Sequence, residues 1–313
     1  MKATRDGYGA ALAKLGETNK DIVVLDADLS KSTKSIMFAK KFPQRFFDMG
    51  ISEQDMVATA AGFAASGKIP FASSFAVFVT CRALDQIRNG IAYPSLNVKL
   101  AGSHAGIATG EDGASHQAIE DIAIMRALPN MSVFVPADYF EAVAITEYSA
   151  EYLGPVYIRL SRPKVPCYFD DSYKFKAGKA IIVEEGDDAT IFATGAVLFE
   201  AFKARDLLKK QGICASVINV PSIKPFDSEM VKREAKRTAK LISIEDHNII
   251  GGLGSAVAEV ISVKGNAKLC RIGLLDTFAE SGKPAELYAK YGLDHNSIAK
   301  KIRSFMREAN KDE

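Results

Sequence analysis

Residues 44–79 read QRFFDMGISEQDMVATAAGFAASGKIPFASSFAVFV. Phe46–Met49 is short, apolar and aromatic, as a strand would be. Ser52 stands where a side-chain oxygen can cap the next helix. Met56, Ala60, Phe63 and Ala64 recur at helical spacing, and Gly67 ends the stripe. The stretch 69–79 then returns to strand through a Ser-rich bend. Strand, helix and strand in that order are the repeating unit of a mostly parallel sheet covered on both faces.

The pattern extends in both directions. Upstream, residues 4–18 predict a helix ending near Gly16, and Ile22–Leu25 a buried strand. That strand runs into Asp26, Asp28, Ser30 and Ser32. A polar cluster at the C-terminal end of a parallel strand is where open α/β sheets bind ligands. Downstream, helices are expected over 82–92, 115–127 and 138–151, with strands over 96–103, 130–138 and 154–166. The last strand stops at Pro163 and Pro166, because proline lacks the N–H a central strand needs. Repeated strand–helix units imply a mostly parallel sheet covered on both faces.

The prolines, Asp170, Asp171 and Gly178 mark a connection. The chain is expected to divide into a first domain over 1–165, a linker over 166–178 and a second domain over 179–313. The second reads as strands at 189–195, 214–219, 240–248 and 268–274, with helices at 197–211, 252–262 and 296–307. It looks like a smaller copy of the first. The segment 249–261, IIGGLGSAVAEVI, imitates a dinucleotide loop, but no acidic residue closes a following strand at the required spacing. It is expected to be a tight strand-to-helix turn. Glu245, Asp246 and His247 beside it are expected to shape an interface and not to do chemistry.

The chain has 313 residues, 48% of them hydrophobic, and a net charge of +2 with both signs interspersed. Such a surface argues against nucleic acid or a polybasic membrane contact. The first ten residues contain no apolar core of a signal peptide, and the apolar runs are too short to span a bilayer. The four cysteines are scattered, with no metal-site spacing, as in a reduced cytoplasmic protein.

Chemistry concentrates in 102–122, GSHAGIATGEDGASHQAIEDI. His104, Asp112 and His116 lie within thirteen residues, among Gly102, Gly106, Gly110 and Gly113. Imidazoles donate, accept or shuttle protons near neutral pH. Glycines let a loop approach a ligand closely or take positive φ.

DMGISEQDM, ASSFAVFV and GEDGASHQAIEDI, in order with ATRDG, DADLSKS and IRLSRP, resemble the transketolase family of thiamine-diphosphate enzymes. The resemblance covers essentially the whole chain, but only the later part of a transketolase: the pyrimidine-binding domain and the C-terminal domain. It implies two three-layer α/β domains. His104 with GEDGASHQ resembles transketolase more than the β-type subunits of 2-oxo acid dehydrogenases or the deoxyxylulose-phosphate synthases, which remain alternatives. A non-catalytic regulatory or scaffold subunit is a third.

The family holds the diphosphate and its Mg²⁺ or other divalent metal with a GDG…N motif in an N-terminal domain. No such motif is present here, and EGDD at 185–188 is a poor candidate. The resemblance therefore implies half of a split transketolase. A separate N-terminal subunit would carry the GDG motif, and two copies of each chain would make a heterotetramer acting in pentose phosphate metabolism. No metal ligand is expected on this chain.

The resemblance also assigns roles. Glu53 shares a proton with the pyrimidine N1′. Phe75 and Phe78 wall the pyrimidine, with Phe78 stacked on it. His116 moves protons at the reacting carbonyl and hydroxyls, and His104 contacts the sugar. Asp112 accepts from a substrate C2 hydroxyl, and Asp28 lies near the substrate hydroxyls. Arg5, Ser32 and Arg162 contact the terminal phosphate, with Arg159 a weaker rival. Cys81 stands where many transketolases have tyrosine.

Overall fold

The computed structural model describes residues 1–263 and 267–309. Seven strands form the first sheet: β1 Ile22–Asp26, β2 Phe46–Asp48, β3 Ile69–Phe75, β4 Lys99–Ser103, β5 Ser132–Phe134, β6 Val156–Arg159 and β10 Ser222–Lys224, in the order β10-β5-β6-β4-β3-β1-β2. All pairs are parallel except β10–β5. The second sheet holds β7 Ile181–Glu184, β8 Ala189–Thr194, β9 Ala215–Asn219, β11 Lys240–Asn248 and β12 Lys268–Leu274, in the order β12-β11-β8-β9-β7. Its pairs are parallel except β7–β9. β1, β4, β6, β8 and β9 are buried along their whole length, as strands of a parallel sheet covered on both faces are.

The helices are α1 Thr4–Thr18, α2 Ser30–Thr33, α3 Ile36–Lys41, α4 Glu53–Ala65, α5 Asp121–Ala127, α6 Tyr139–Glu151, α7 Leu198–Lys209, α8 Ser228–Thr238, α9 Leu253–Ile261, α10 Pro284–Lys290 and α11 His295–Ala309. Helix α1 lies directly on α6. A Cβ on Gly7 would sit 2.3 Å from the Tyr139 carbonyl oxygen, so glycine there sets the helix spacing.

Several expectations are corrected. Ser52 occupies the cap position of α4, but its side chain makes no capping bond. The strand expected over 69–79 ends at Phe75. The chain then winds into π-helical turns over Phe78–Arg82 and Gln86–Ala92. The helix expected over 115–127 begins only at Asp121, because Gly113 at φ +77° and the bridge Ala105–Ala118 hold the preceding residues in a loop. β7, α8 and α10 have no counterpart in the sequence reading. The loop expected after β9 carries β10, which crosses to extend the first sheet, so the core is continuous. Leu25, Met56 and Leu100 belong to one cluster with Val133, Ile218 and Leu253.

The 249–254 turn is a strand-to-helix connection, as expected. The buried Glu245 carboxylate accepts N–H bonds from Leu253 (2.7 Å) and Gly254 (2.8 Å), filling the place a phosphate would take at a helix N-terminus. Among the described residues no helix is long and apolar enough to cross a membrane.

Candidate active site

Four neighbouring strands, β4-β3-β1-β2, end at one edge of the first sheet. Above them lies a cleft of ≈ 410 Å³ whose lining includes Asp28, Leu29, Ile51, Glu53, Phe78 and His116. Each strand contributes through the loop or helix that follows it, as expected at the carboxyl edge of a parallel sheet.

Glu53 is the first residue of α4 and is 3% exposed. Burial at a helix N-terminus places its charge where the dipole favours it. One carboxylate oxygen accepts from Ser74 Oγ at 3.1 Å, and the other faces Arg82 Nη1 at 3.2 Å. The Arg82 guanidinium lies 4.0 Å above the Phe78 ring. Sequence reasoning missed Arg82. It is half-exposed, and only the π-helical turn from Phe78 to Arg82 brings it onto the ring and the carboxylate.

Phe75 closes β3, and its ring stacks on Phe78 at 5.7 Å and 17°. His104 stacks on Phe75 at 3.9 Å. His116 stands edge-on to Phe78 at 5.0 Å and 69°. The two aromatics and two imidazoles thus form one continuous wall.

His104 leaves β4 with φ +60° and is almost wholly buried. Its Nε2 lies 3.2 Å from Arg5 Nη1, and its Nδ1 lies 2.9 Å from Ser103 Oγ. Arginine only donates, so Nε2 accepts and the proton sits on Nδ1. Burial, then Arg5 and Arg162, pull the His104 pKa down to about 3. His104 is a neutral ring at working pH.

Asp26, at the end of β1, is also buried, and its carboxylate binds Leu29 N–H, Thr33 Oγ1 and Ser35 Oγ. Burial raises it to about 6. It fixes the turn that presents Asp28, whose φ is +59° and whose N–H is held by Asp48.

Arg5, Ser32, Phe75, His104, Asp112 and Arg162 are not part of the cleft lining, though Phe75 and His104 stack behind it. Arg5 donates to the Ser32 carbonyl at 2.9 Å as well as to His104. The Arg5 Nε is buried without a partner among the described residues. Arg162 donates to the Thr109 carbonyl and to Glu111, and lies 3.7 Å from Asp112. The structure excludes Arg159 as a phosphate contact. It is 6% exposed and binds Asp121 through Nε (2.7 Å) and Nη2 (3.0 Å). Cys81 is exposed and sits within the first π-helical segment. Among the described residues no cluster of three or more His, Cys, Asp or Glu side chains could hold a metal.

The chain matches two family profiles: "Transketolase, pyrimidine binding domain" over residues 1–167 and "Transketolase, C-terminal domain" over 178–298. A "Putative transketolase C-terminal section" of Methanocaldococcus jannaschii is 51% identical over 310 residues, covering 98% of this chain and 97% of the relative. The "6-deoxy-6-sulfo-D-fructose transketolase subunit SqwH" of a Clostridium species is 40% identical over 296 residues, with 95% and 92% covered. Among solved structures, "Split gene transketolase, inactive beta4 tetramer" superposes with a TM-score of 0.91 at 49% identity, covering 98% of this chain and 99% of that one.

Proposed function

This chain belongs to the transketolase family, and on that premise we propose that it is the C-terminal subunit of a split transketolase, catalysing reversible transfer of a two-carbon ketol group from a ketose phosphate to an aldose phosphate. The observation that carries the reading is Glu53. It is a carboxylate buried in the cleft wall, with the Phe75–Phe78 stack and His116 beside it. A flat apolar wall with one buried carboxylate at its edge suits a heteroaromatic ring that must share a proton, as the aminopyrimidine of thiamine diphosphate must.

When bound, thiamine diphosphate supplies the nucleophilic carbon and the electron sink. The chain's own residues do the rest. Glu53 holds the proton at the pyrimidine N1′. Phe75 and Phe78 orient the ring and exclude water. His116, at the cleft, moves protons at the reacting hydroxyl and carbonyl oxygen. His104 takes part as a neutral ring against the sugar. Asp28 and Asp112 accept from sugar hydroxyls, and Arg5, Ser32 and Arg162 bind the terminal phosphate.

The proposal keeps the division 1–165, 166–178 and 179–313. It places this subunit in the cytoplasm, paired with a separate N-terminal subunit that carries the GDG motif, the diphosphate and Mg²⁺, two copies of each. The relative named for a sulfosugar leaves the preferred sugar to experiment.

The test mixes the chain with an N-terminal subunit, thiamine diphosphate and Mg²⁺. Glyceraldehyde 3-phosphate is measured from xylulose 5-phosphate and ribose 5-phosphate, with a parallel donor panel that includes 6-deoxy-6-sulfofructose. Activity is expected only in the mixture, falling about 10²–10⁴-fold with Glu53→Gln. Turnover by the chain alone, or an unimpaired Glu53→Gln, would refute the proposal.

A further inference from the structure

The loop from His104 to Ala118 carries His104, Asp112 and His116, yet its seat is built largely by the second domain. Its base is closed within the first domain: Gly106 N–H donates to the Ala118 carbonyl at 2.8 Å. Its middle rests on Asp246, from β11. One Asp246 carboxylate oxygen accepts Ile107 N–H at 2.9 Å, and the other accepts Ala108 N–H at 3.3 Å and Tyr288 Oη–H at 3.0 Å. The contact leaves no spare room, since a Cβ on Gly106 would lie 2.2 Å from the carboxylate. Gln117 adds a bond to the Glu280 carbonyl at 3.1 Å.

We infer that Asp246 is a positioning residue for the substrate-facing side chains of the 104–118 loop. The inference rests on the functional reading above. The path is contiguous. Asp246 fixes the N–H groups of residues 107 and 108, and the next residue, Thr109, makes two bonds. Its hydroxyl donates to the His104 carbonyl at 2.5 Å, and its carbonyl accepts from Arg162. Asp246 thereby sets the placement of His104 and Arg162 through one residue. A second tie runs through the backbone of Asp246. Arg159 Nη2 donates to the Asp246 carbonyl at 2.9 Å and to the Ala118 carbonyl at 3.1 Å, joining β11 to the point where the loop returns. Glu53, Phe75 and Phe78 lie on α4, β3 and the turn after β3, outside this path. The second domain therefore acts first on the sugar-facing loop, and it reaches the pyrimidine wall only through the stacking of His104 on Phe75 and the edge contact of His116 with Phe78.

The test uses Asp246→Asn and Thr109→Val, the second breaking the path without touching the Asp246 seat. In the mixed complex each is expected to raise the sugar-phosphate KM about tenfold while the thiamine-diphosphate Kd stays within about twofold. A readout independent of activity is imidazole NMR of the chain itself, which has four histidines. The His104 imidazole resonances are expected to move in Asp246→Asn, while those of His295, at the start of α11 and away from the loop, stay in place. That signal tests the positioning even if no sugar is turned over, so failure of the functional reading is distinguishable. A folded Asp246→Asn with unmoved His104 resonances and an unchanged KM would overturn the inference. So would variants that weaken cofactor binding and sugar binding alike, which would mark a general loosening.

Discussion

Replacing Arg82 by methionine tests the electrostatics of the cleft in the isolated chain. Glu53 is buried, and among the described residues only Ser74 and Arg82 serve its carboxylate. Removing one partner of a fully buried pair costs about 3–5 kcal/mol, because a charge is left unpaired. Here the Arg82 side chain is 49% exposed. Solvent screens the pair, and exposed pairs are worth at most about 1 kcal/mol. The intermediate geometry gives about 2 kcal/mol. At about 2–4 °C per kcal/mol for a domain of this size, the first thermal transition should fall by about 4–8 °C. Glu53→Gln removes the charge that needs a partner, so adding Arg82→Met to it should cost little further. A double-mutant cycle read by calorimetry should then give a coupling of about 1 kcal/mol or more. Strict additivity, or an Arg82→Met chain that melts like the parent, would refute the reasoning.

The other predictions concern pH and packing. His104 has a folded pKa of about 3, below its ordinary 6.5. As pH falls below 6.5 the unfolded chain takes up a proton that the folded chain refuses, so stability is lost from about 6.5 down toward about 3. Between pH 7 and pH 5 this amounts to at most about 2 kcal/mol. His104→Gln should show a correspondingly smaller drop in melting temperature between those two pH values. Gly7→Ala should destabilise the chain by about 1–3 kcal/mol, despite alanine's better helix propensity, because its methyl meets the Tyr139 carbonyl. Denaturant titration measures this, and a stabilised variant would show that α1 can slide on α6.

Much of the architecture was legible because parallel strands buried on both faces write themselves as apolar runs. β1, β4 and β8 stand where the apolar runs place them, and β6 falls inside its expected range but ends at Arg159, before Pro163 is reached. The elements that escaped detection are those whose stability is not local. β7 is an edge strand, partly exposed, paired antiparallel to β9. Helix α8 is strongly charged and makes its buried contacts along one narrow face. Lys99 sits fully buried in β4, its ammonium held by the Tyr152 and Gly154 carbonyls and its pKa pulled down to about 7 by burial. Nothing in the order of residues distinguishes that lysine from a surface one.

The sequence by itself determined the chemical inventory. It placed Glu53 at the opening of a helix after a parallel strand, the Phe75–Phe78 pair three residues apart after a Ser-rich bend, and two histidines in one glycine-rich loop. Those are properties of local backbone preference and side-chain type, which residues carry wherever the chain goes. Tertiary structure alone decided the pairings. Arg82 reaches Glu53 across 29 residues, β10 crosses from beyond the linker to the first sheet, and Asp246 grips Ile107 across 139 residues. Such contacts depend on how two packed sheets face each other, because a buried donor or acceptor takes whichever partner the folded core places against it.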